Sequence, residues 1–204
     1  MTPGRGLRLG VLGGTFDPLH LGHLIVAHDV AERLDLDRVL LVLAARPPHK
    51  NRALSPAELR FAMLEAALAH DPVLVASDIE VRRAGTSYTI DTLRELRAQY
   101  PAAELVLVIG ADQWQQFAGW KDPQGIARMA TIAVMTREGE NPTAMDSGVS
   151  VPASVVPVTR IDVSATEVRE RARQGRSIQH LVPQEAHRII EREELCSTPT
   201  VQHV

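Results

Sequence analysis

A single cysteine, Cys196, stands in a chain of 204 residues, so no internal disulfide can form; this is compatible with a reducing cytoplasm. Aromatic residues make up only 3% of the chain, so each Trp and Tyr merits separate attention. No apolar run reaches bilayer-spanning length, and the start Met1-Thr2-Pro3-Gly4-Arg5 has no signal-peptide core. Repeats and low-complexity tracts are missing too. The net charge of −3 gives no general attraction to nucleic acid and leaves only a local basic patch open. Neither a nucleic acid nor a membrane is therefore expected as a partner. Two nucleotide-binding signatures are also absent. A Walker loop needs Gly-Lys-Ser/Thr, which the chain lacks. A dinucleotide fingerprint needs G-x-G-x-x-G and an acid closing the second strand, but that strand runs into Ala44-Ala45-Arg46.

Hydrophobic residues supply 45% of the sequence, enough for one sizeable core, and the whole of 1–204 is expected to form one domain. Residues 197–204 read as a frayed tail. Its organising stretch is Gly13-Gly14-Thr15-Phe16-Asp17-Pro18-Leu19-His20-Leu21-Gly22-His23. Before it, Leu7 to Leu12 reads as a buried strand. After it, Leu24, Ala27, Ala31 and Leu34 share one helical face. The stretch is thus a strand-to-helix turn, where an α/β fold places its ligands. Glycines let a phosphate approach the backbone, and a helix start offers free N–H groups to an anion. His20 and His23 are three apart and project to one side of the first helical turn. Two imidazoles beside a phosphate cradle suggest phosphoryl or nucleotidyl chemistry; as metal ligands they lack a third partner at suitable spacing.

Strand and helix patterns then alternate. Val39 to Leu43 reads as a central parallel strand, followed by the loop Arg46-Pro47-Pro48-His49-Lys50-Asn51-Arg52, whose Lys50 is either a solvated charge or a phosphate contact. Ser55-Pro56-Ala57-Glu58 reads as a capped helix start, with Leu59, Met63 and Ala67 facing the core and Arg60 either a functional residue or, the favoured reading, a solvated helix charge. A third strand over Val73 to Ala76 is expected to extend towards Ile79 and Val81. Gly85 to Leu93 turns into another helix, where capping alone would account for the hydroxyls of Thr86 and Ser87. Glu104 to Ile109 is the most strand-like run; it ends in Gly110-Ala111-Asp112, whose carboxylate either caps a helix or accepts ribose hydroxyls. Trp114 reads as packing. Met129 to Met135 is a fifth strand, Arg137 to Ser150 an exposed mobile loop, and Val155 to Val158 an edge strand. In Val163-Ser164-Ala165-Thr166-Glu167-Val168-Arg169, Ser164 and Glu167 make a capping box, and Arg169 presents its fork of donors one turn on. A helix from Gln184 to Glu193 caps the C-terminus. The pattern predicts an α/β, doubly wound fold with a mostly parallel sheet and a C-terminal helical cap.

The first stretch resembles the G-G-T-F-D-P-x-H-x-G-H signature of the H-x-G-H nucleotidyltransferases, with a Rossmann-like fold. Pro47-Pro48-His49-Lys50, Gly110-Ala111-Asp112 and Val163 to Arg169 fall where that family carries P-P-H-K, G-A-D and I-S-S-T-x-I-R. Ser87-Tyr88-Thr89-Ile90-Asp91-Thr92-Leu93 resembles the S-Y-T-x-D-T-L of one branch, the nicotinate mononucleotide adenylyltransferases, and Trp120-Lys121 matches the tryptophan that stacks on their pyridine ring. The resemblance covers nearly the whole chain. It implies attack of the 5′-phosphate of nicotinate mononucleotide on the α-phosphorus of ATP, giving deamido-NAD and pyrophosphate. It implies His20 and His23 as catalytic residues. ATP would meet Gly13, Gly14, Thr15, His20, His23, Asp112, Ser164, Thr166 and Arg169. The pyridine nucleotide would meet Thr15, Phe16, Lys50, Thr86, Tyr88, Asp112 and Trp120. Mg²⁺ would be carried by the ATP phosphates, with no protein side chain as ligand. Ala165 departs from the pattern and removes one hydroxyl. Phosphopantetheine adenylyltransferase is the nearest alternative and lacks the S-Y-T-x-D-T-L stretch. A non-catalytic nucleotide-binding regulator is the other, against which both histidines and Arg169 argue. The oligomeric state, including a homo-oligomer, stays open.

Overall fold

A computed structural model describes residues 6–48, 52–137 and 147–195. Lys50 and Cys196, named above, lie outside the described residues, as does the 197–204 tail. Six strands form one sheet among the described residues: β1 (Arg8–Gly14), β2 (Arg38–Leu43), β3 (Leu74–Ser77), β4 (Glu104–Gly110), β5 (Thr131–Arg137) and β6 (Ala153–Val158). Their order is β3-β2-β1-β4-β5-β6, and every neighbouring pair is parallel. The central strands are buried along most of their length because helices cover both faces. The chain winds outward from β1 in one direction and from β4 in the other. Between those two strands the order reverses, and the crevice at their carboxyl ends is the ligand position of such sheets.

On one face, Ala27, Val30 and Ala31 of α1 (Leu21–Arg33) and Leu64 and Leu68 of α2 (Ala57–Leu68) pack on Leu12, Leu41, Val106 and Val108. On the other, Ile90, Leu93 and Leu96 of α4 (Thr89–Gln99) and Ile126 of α6 (Pro123–Met129) pack on Val11, Leu40, Leu107 and Ile132. The odd–even split of the strand residues between the two cores is the period-two alternation of a strand. Short α3 (Ile79–Arg82) and α5 (Ala111–Gln115) follow β3 and β4. A third cluster joins Met63 to Val168 of α7 (Ala165–Arg173) and to Ala186, Ile189 and Ile190 of α8 (Gln184–Arg192). Helix α2 is therefore sandwiched between the sheet and the C-terminal helices. The C-terminal segment also reaches the front of α1, where the Leu21 N–H donates to the Leu181 carbonyl at 2.9 Å.

Several local expectations are corrected. Strand β1 runs on through Gly13 and Gly14, so the turn begins at Thr15. The cap of α2 is Pro56, not Ser55. The reason is Arg60: its N–H bonds the Pro56 carbonyl, while its Nε holds the Ser55 carbonyl outside the helix. Arg60 itself is 1% exposed rather than solvated, and Leu59 is only half-buried. Strand β3 stops at Ser77; beyond it the chain coils into α3 and buries Ile79. The fifth strand starts at Thr131, because Met129 still belongs to α6. Tyr88 caps α4 without a side-chain bond, and Ser87 Oγ instead accepts the Arg46 N–H at 3.1 Å. The described end of the 137–150 loop is pinned, with Ser147 only 3% exposed and its hydroxyl bonded to the Val149 carbonyl.

Candidate active site

At the carboxyl end of β1 the backbone must leave the sheet, reverse, and enter α1. Phe16 takes a left-handed conformation to do so, with φ +43°, unusual for a side chain that is not glycine. Its ring folds back into the core and is 1% exposed. That placement explains Gly14: a Cβ there would stand 2.8 Å from the Phe16 ring. A Cβ on Gly13 would meet nothing within 4 Å. The open space beside the turn therefore lies over Gly13, whereas Gly14 seats Phe16. Since the Phe16 ring is internal, only its backbone can face a ligand.

His20 caps α1 and His23 is the third residue of the helix. Their rings stack, centroids 3.7 Å apart and planes 28° from parallel. Phe16 meets His23 edge-on at 5.1 Å. The His20 backbone N–H donates to His23 Nδ1 at 3.2 Å. An Nδ1 that accepts carries no proton, so neutral His23 holds its proton on Nε2. His20 Nδ1 is buried with no hydrogen-bond partner among the described residues. Gly22 makes room for that ring, since a Cβ there would lie 3.1 Å from His20 Nδ1. Burial lowers the His20 pKa to about 4. Burial, then the neighbouring imidazole, lowers His23 to about 3. Without a ligand both rings are neutral at physiological pH, so each carries one N–H donor.

Three arginines from three segments hold the turn. Arg60 of α2 gives Nη1 to the Thr15 carbonyl at 2.9 Å. Arg52, from the β2–α2 loop, pairs with the Asp17 carboxylate at 2.7 Å. Arg169 of α7 gives Nη1 to the Asp17 carbonyl at 2.6 Å and Nη2 to Thr166 Oγ1 at 3.0 Å. Arg169 is 8% exposed, so this expected phosphate ligand is also a strut between α7 and the turn. Ser164 caps α7, its hydroxyl accepting the Glu167 N–H at 3.1 Å. A hydroxyl that accepts still has its proton to give, so Ser164 can donate to a phosphate from the same position. Thr166 and Ser164 are exposed. Asp112 is exposed too, at the start of α5 beyond the carboxyl end of β4; the side chain bonded at that helix start is Gln113, whose Oε1 accepts the Gly110 N–H at 3.1 Å.

On the other side of the crevice lies the expected pyridine region. Lys121 joins its parts: Nζ pairs with Asp91 Oδ2 of α4 at 2.8 Å and sits 4.5 Å from the centre of the Tyr88 ring. Trp120 is therefore held beside the start of α4, its ring 5.4 Å from Phe117 and half-buried. Trp114 is the packing residue, stacked on the far neighbour Phe117 at 5.2 Å and 7% exposed. Ser87 and Tyr88 spend their backbone N–H groups on the Arg46 and Thr86 carbonyls. The donors that α4 does not itself take up are those of its first turn, at Thr89 and Ile90. Thr86 is exposed beside them.

The cytidylyltransferase-like family profile matches residues 11–171, a span that takes in both histidines and Arg169. The chain belongs to the cytidylyltransferase-like family. Among curated proteins it is 43% identical over 188 residues to a "Probable nicotinate-nucleotide adenylyltransferase" of Thermus thermophilus, covering 91% of this chain and 97% of that one. It is 40% identical over 190 residues to the protein of the same name from Corynebacterium kroppenstedtii, covering 92% and 90%. In three dimensions it resembles the Plasmodium falciparum nicotinic acid mononucleotide adenylyltransferase complexed with NaAD, with TM-score 0.75, 13% identity, and 93% and 97% of the two chains covered. At that identity the likeness is one of fold.

Within this cytidylyltransferase-like chain, sequence reasoning missed Arg60 and the pairing of Arg52 with Asp17. The signal for Arg60 was present: it falls in step with Met63, Leu64 and Leu68, the buried stripe of α2. A cation on a buried stripe needs partners. For Arg52 the sequence carries no such mark, since a loop residue's partner is set by the fold.

Proposed function

We propose that this protein transfers the adenylyl group of ATP to nicotinate mononucleotide, forming deamido-NAD and pyrophosphate in NAD biosynthesis. One observation carries the reading: the stacked, neutral His20–His23 pair at the sheet's switch point, next to a backbone left open over Gly13. The naming of the full-length relatives supports the same substrates.

The chemistry suits the residues. The attacking group is a phosphate, already anionic, so no strong base is required. Catalysis reduces to positioning and to stabilising charge on the α-phosphate. His20 and His23 donate N–H bonds to its oxygens. Gly13, Gly14, Thr15 and Phe16 meet the phosphates through the backbone. Ser164, Thr166 and Arg169 hold the leaving pyrophosphate at the start of α7. Asp112 accepts ribose hydroxyls. Thr86, Tyr88 and Trp120 hold the pyridine ring, and Lys50 reaches a phosphate. Among the described residues no group of three His, Cys, Asp or Glu could hold a metal. In this proposal the cation is Mg²⁺, which would be held through the ATP phosphates rather than by protein side chains. When bound it would supply positive charge to offset the charge of the outer phosphates. The reading places one 1–204 domain in the cytoplasm; no described helix is long and apolar enough to cross a membrane.

Pyrophosphate release from ATP–Mg²⁺ against a panel of acceptors tests it. Release with nicotinate mononucleotide and none with phosphopantetheine is expected. Release only with phosphopantetheine, or with no acceptor at all, overturns the reading.

A further inference from the structure

Arg60 is a cation buried to 1% exposure and given to carbonyl oxygens rather than to a substrate. Its Nε donates to Ser55 O at 2.8 Å, Nη1 to Thr15 O and Ala44 O at 2.9 Å each, and Nη2 to Ala45 O at 3.0 Å. Three of these carbonyls belong to the chain just past β1 and β2. The two strands share their last backbone bond where the Ala44 N–H meets the Gly14 carbonyl at 2.8 Å. Past that bond the ladder ends. The Nη1 fork, bonded to Thr15 on one side and Ala44 on the other, continues the pairing with a side chain.

Two of these carbonyls, those of Thr15 and Ala45, are one residue away from a part of the site. Thr15 precedes Phe16, whose ring meets His23. Ala45 precedes Arg46, which exchanges two hydrogen bonds with Ser87: the Ser87 N–H to the Arg46 carbonyl at 3.0 Å and the Arg46 N–H to Ser87 Oγ at 3.1 Å. Ser87 leads into Tyr88, the cap of α4. A single guanidinium thus links the histidine turn to the expected pyridine loop. Burying it carries a desolvation cost, and burial indeed lowers its pKa. An apolar side chain of the same volume would avoid that cost but would leave carbonyls unpaired and the two loops unlinked.

We propose that Arg60 is a positioning residue: it sets the distance between the Gly-rich turn, where the α-phosphate is held, and the β2 end that carries the pyridine-side loop. The functional consequence rests on the adenylyl-transfer reading above. A lysine cannot replace it, because one ammonium cannot reach three segments in the geometry of a planar fork.

The fold supplies a control. Arg97 also bridges backbone segments, giving Nη1 to the Ala103 carbonyl at 2.7 Å and Nη2 to that of Met129, at the opposite end of the sheet. Arg60→Lys, Arg60→Met and Arg97→Lys are compared by thermal melting, by kcat and KM for both substrates well below each melting point, and by amide hydrogen exchange. Arg97→Lys is expected to lower Tm and leave kinetics unchanged. Arg60→Lys is expected to lower kcat about tenfold to a hundredfold, the cost of slight misplacement of reacting groups. It should also raise KM for the pyridine nucleotide and speed exchange in both 14–16 and 86–88. Arg60→Met should lose at least as much kcat even if it melts as high as the wild type. Wild-type kinetics in both Arg60 variants, or kinetic losses that only track Tm as in Arg97→Lys, overturn the proposal. A wild-type protein that releases no pyrophosphate defeats the adenylyl-transfer reading instead. In that case exchange alone decides for Arg60: faster exchange in both loops supports the link, and unchanged exchange overturns it.

Discussion

His20 and His23 stack face to face at 3.7 Å, and the second accepts the backbone N–H of the first through Nδ1. The contact fixes two things together. It orients the Nε2–H of His23 away from the helix start, and at His23 it adds the neighbouring imidazole to the burial that lowers the pKa of both rings. Without a ligand the pair is a set of neutral donors rather than a cation pair.

The first prediction is kinetic. On the proposed adenylyl-transfer chemistry, His20→Ala and His23→Ala each remove a donor to charge that grows in the transition state. Each should lower kcat on the order of a hundredfold, or about 3 kcal/mol, with little change in KM for either substrate. A thermal melt accompanies the assay. Near-normal kcat in both folded variants would remove the mechanism.

The second concerns acid stability. Both histidines have folded-state pKa values below the ordinary 6.5, about 4 and about 3, so the unfolded chain takes up protons that the folded one refuses. Their contribution is fully present above pH 6.5 and is lost as pH falls towards 4 and 3. Each costs about 1.4 kcal/mol per pH unit crossed in that window. Urea unfolding between pH 7.5 and pH 4.5 should show it (about three pH units), and His20→Asn with His23→Asn should flatten the slope. Asp71 and Asp91 have lowered pKa values, so their losses begin only near the acid end. An equally steep slope in the double variant would assign the effect elsewhere.

The third separates two adjacent glycines. Gly14→Ala places a methyl group 2.8 Å from the Phe16 ring. It should destabilise the fold by about 1–3 kcal/mol, the usual cost of overpacking. Gly13→Ala meets open space, so it should melt near the wild type and instead raise KM for ATP. Calorimetry with ATP reads the second effect. The opposite pattern would mean that the phosphates do not approach over Gly13.

The fourth is substrate choice. On the proposed function, the aromatic face of Trp120 would hold the acid and the amide rings alike. Discrimination falls to the ring edge, beside Thr86 and the first-turn N–H groups of α4. Those donors and the positive helix end favour a carboxylate over a neutral amide. A poorly paired amide costs roughly 1–3 kcal/mol, which predicts about tenfold to a hundredfold preference for nicotinate mononucleotide in kcat/KM. Trp120→Ala should weaken both substrates and keep their ratio. Equal kcat/KM for acid and amide in the wild type would show that this edge is not read.

Much of the molecule was legible in the chain alone. The apolar runs of β1, β2 and β4 and the alternation of strand with helix determined a parallel, doubly wound sheet, because a strand buried on both faces must be apolar throughout and parallel neighbours need a crossover. Glycines, paired histidines and a helix cap marked the turn before α1 and the start of α7, since those features depend on residues close in sequence. Only the tertiary structure decided what each of them touches. It showed that Gly14 serves the Phe16 ring while Gly13 faces open space, and that Arg169 braces Asp17 from 152 positions away. It also turned Arg60 from a presumed surface charge into the link between two loops. The physical reason is the same in each case. Local pattern records which face of an element is apolar, but a buried cation's partners are backbone carbonyls, which every residue carries and no sequence distinguishes.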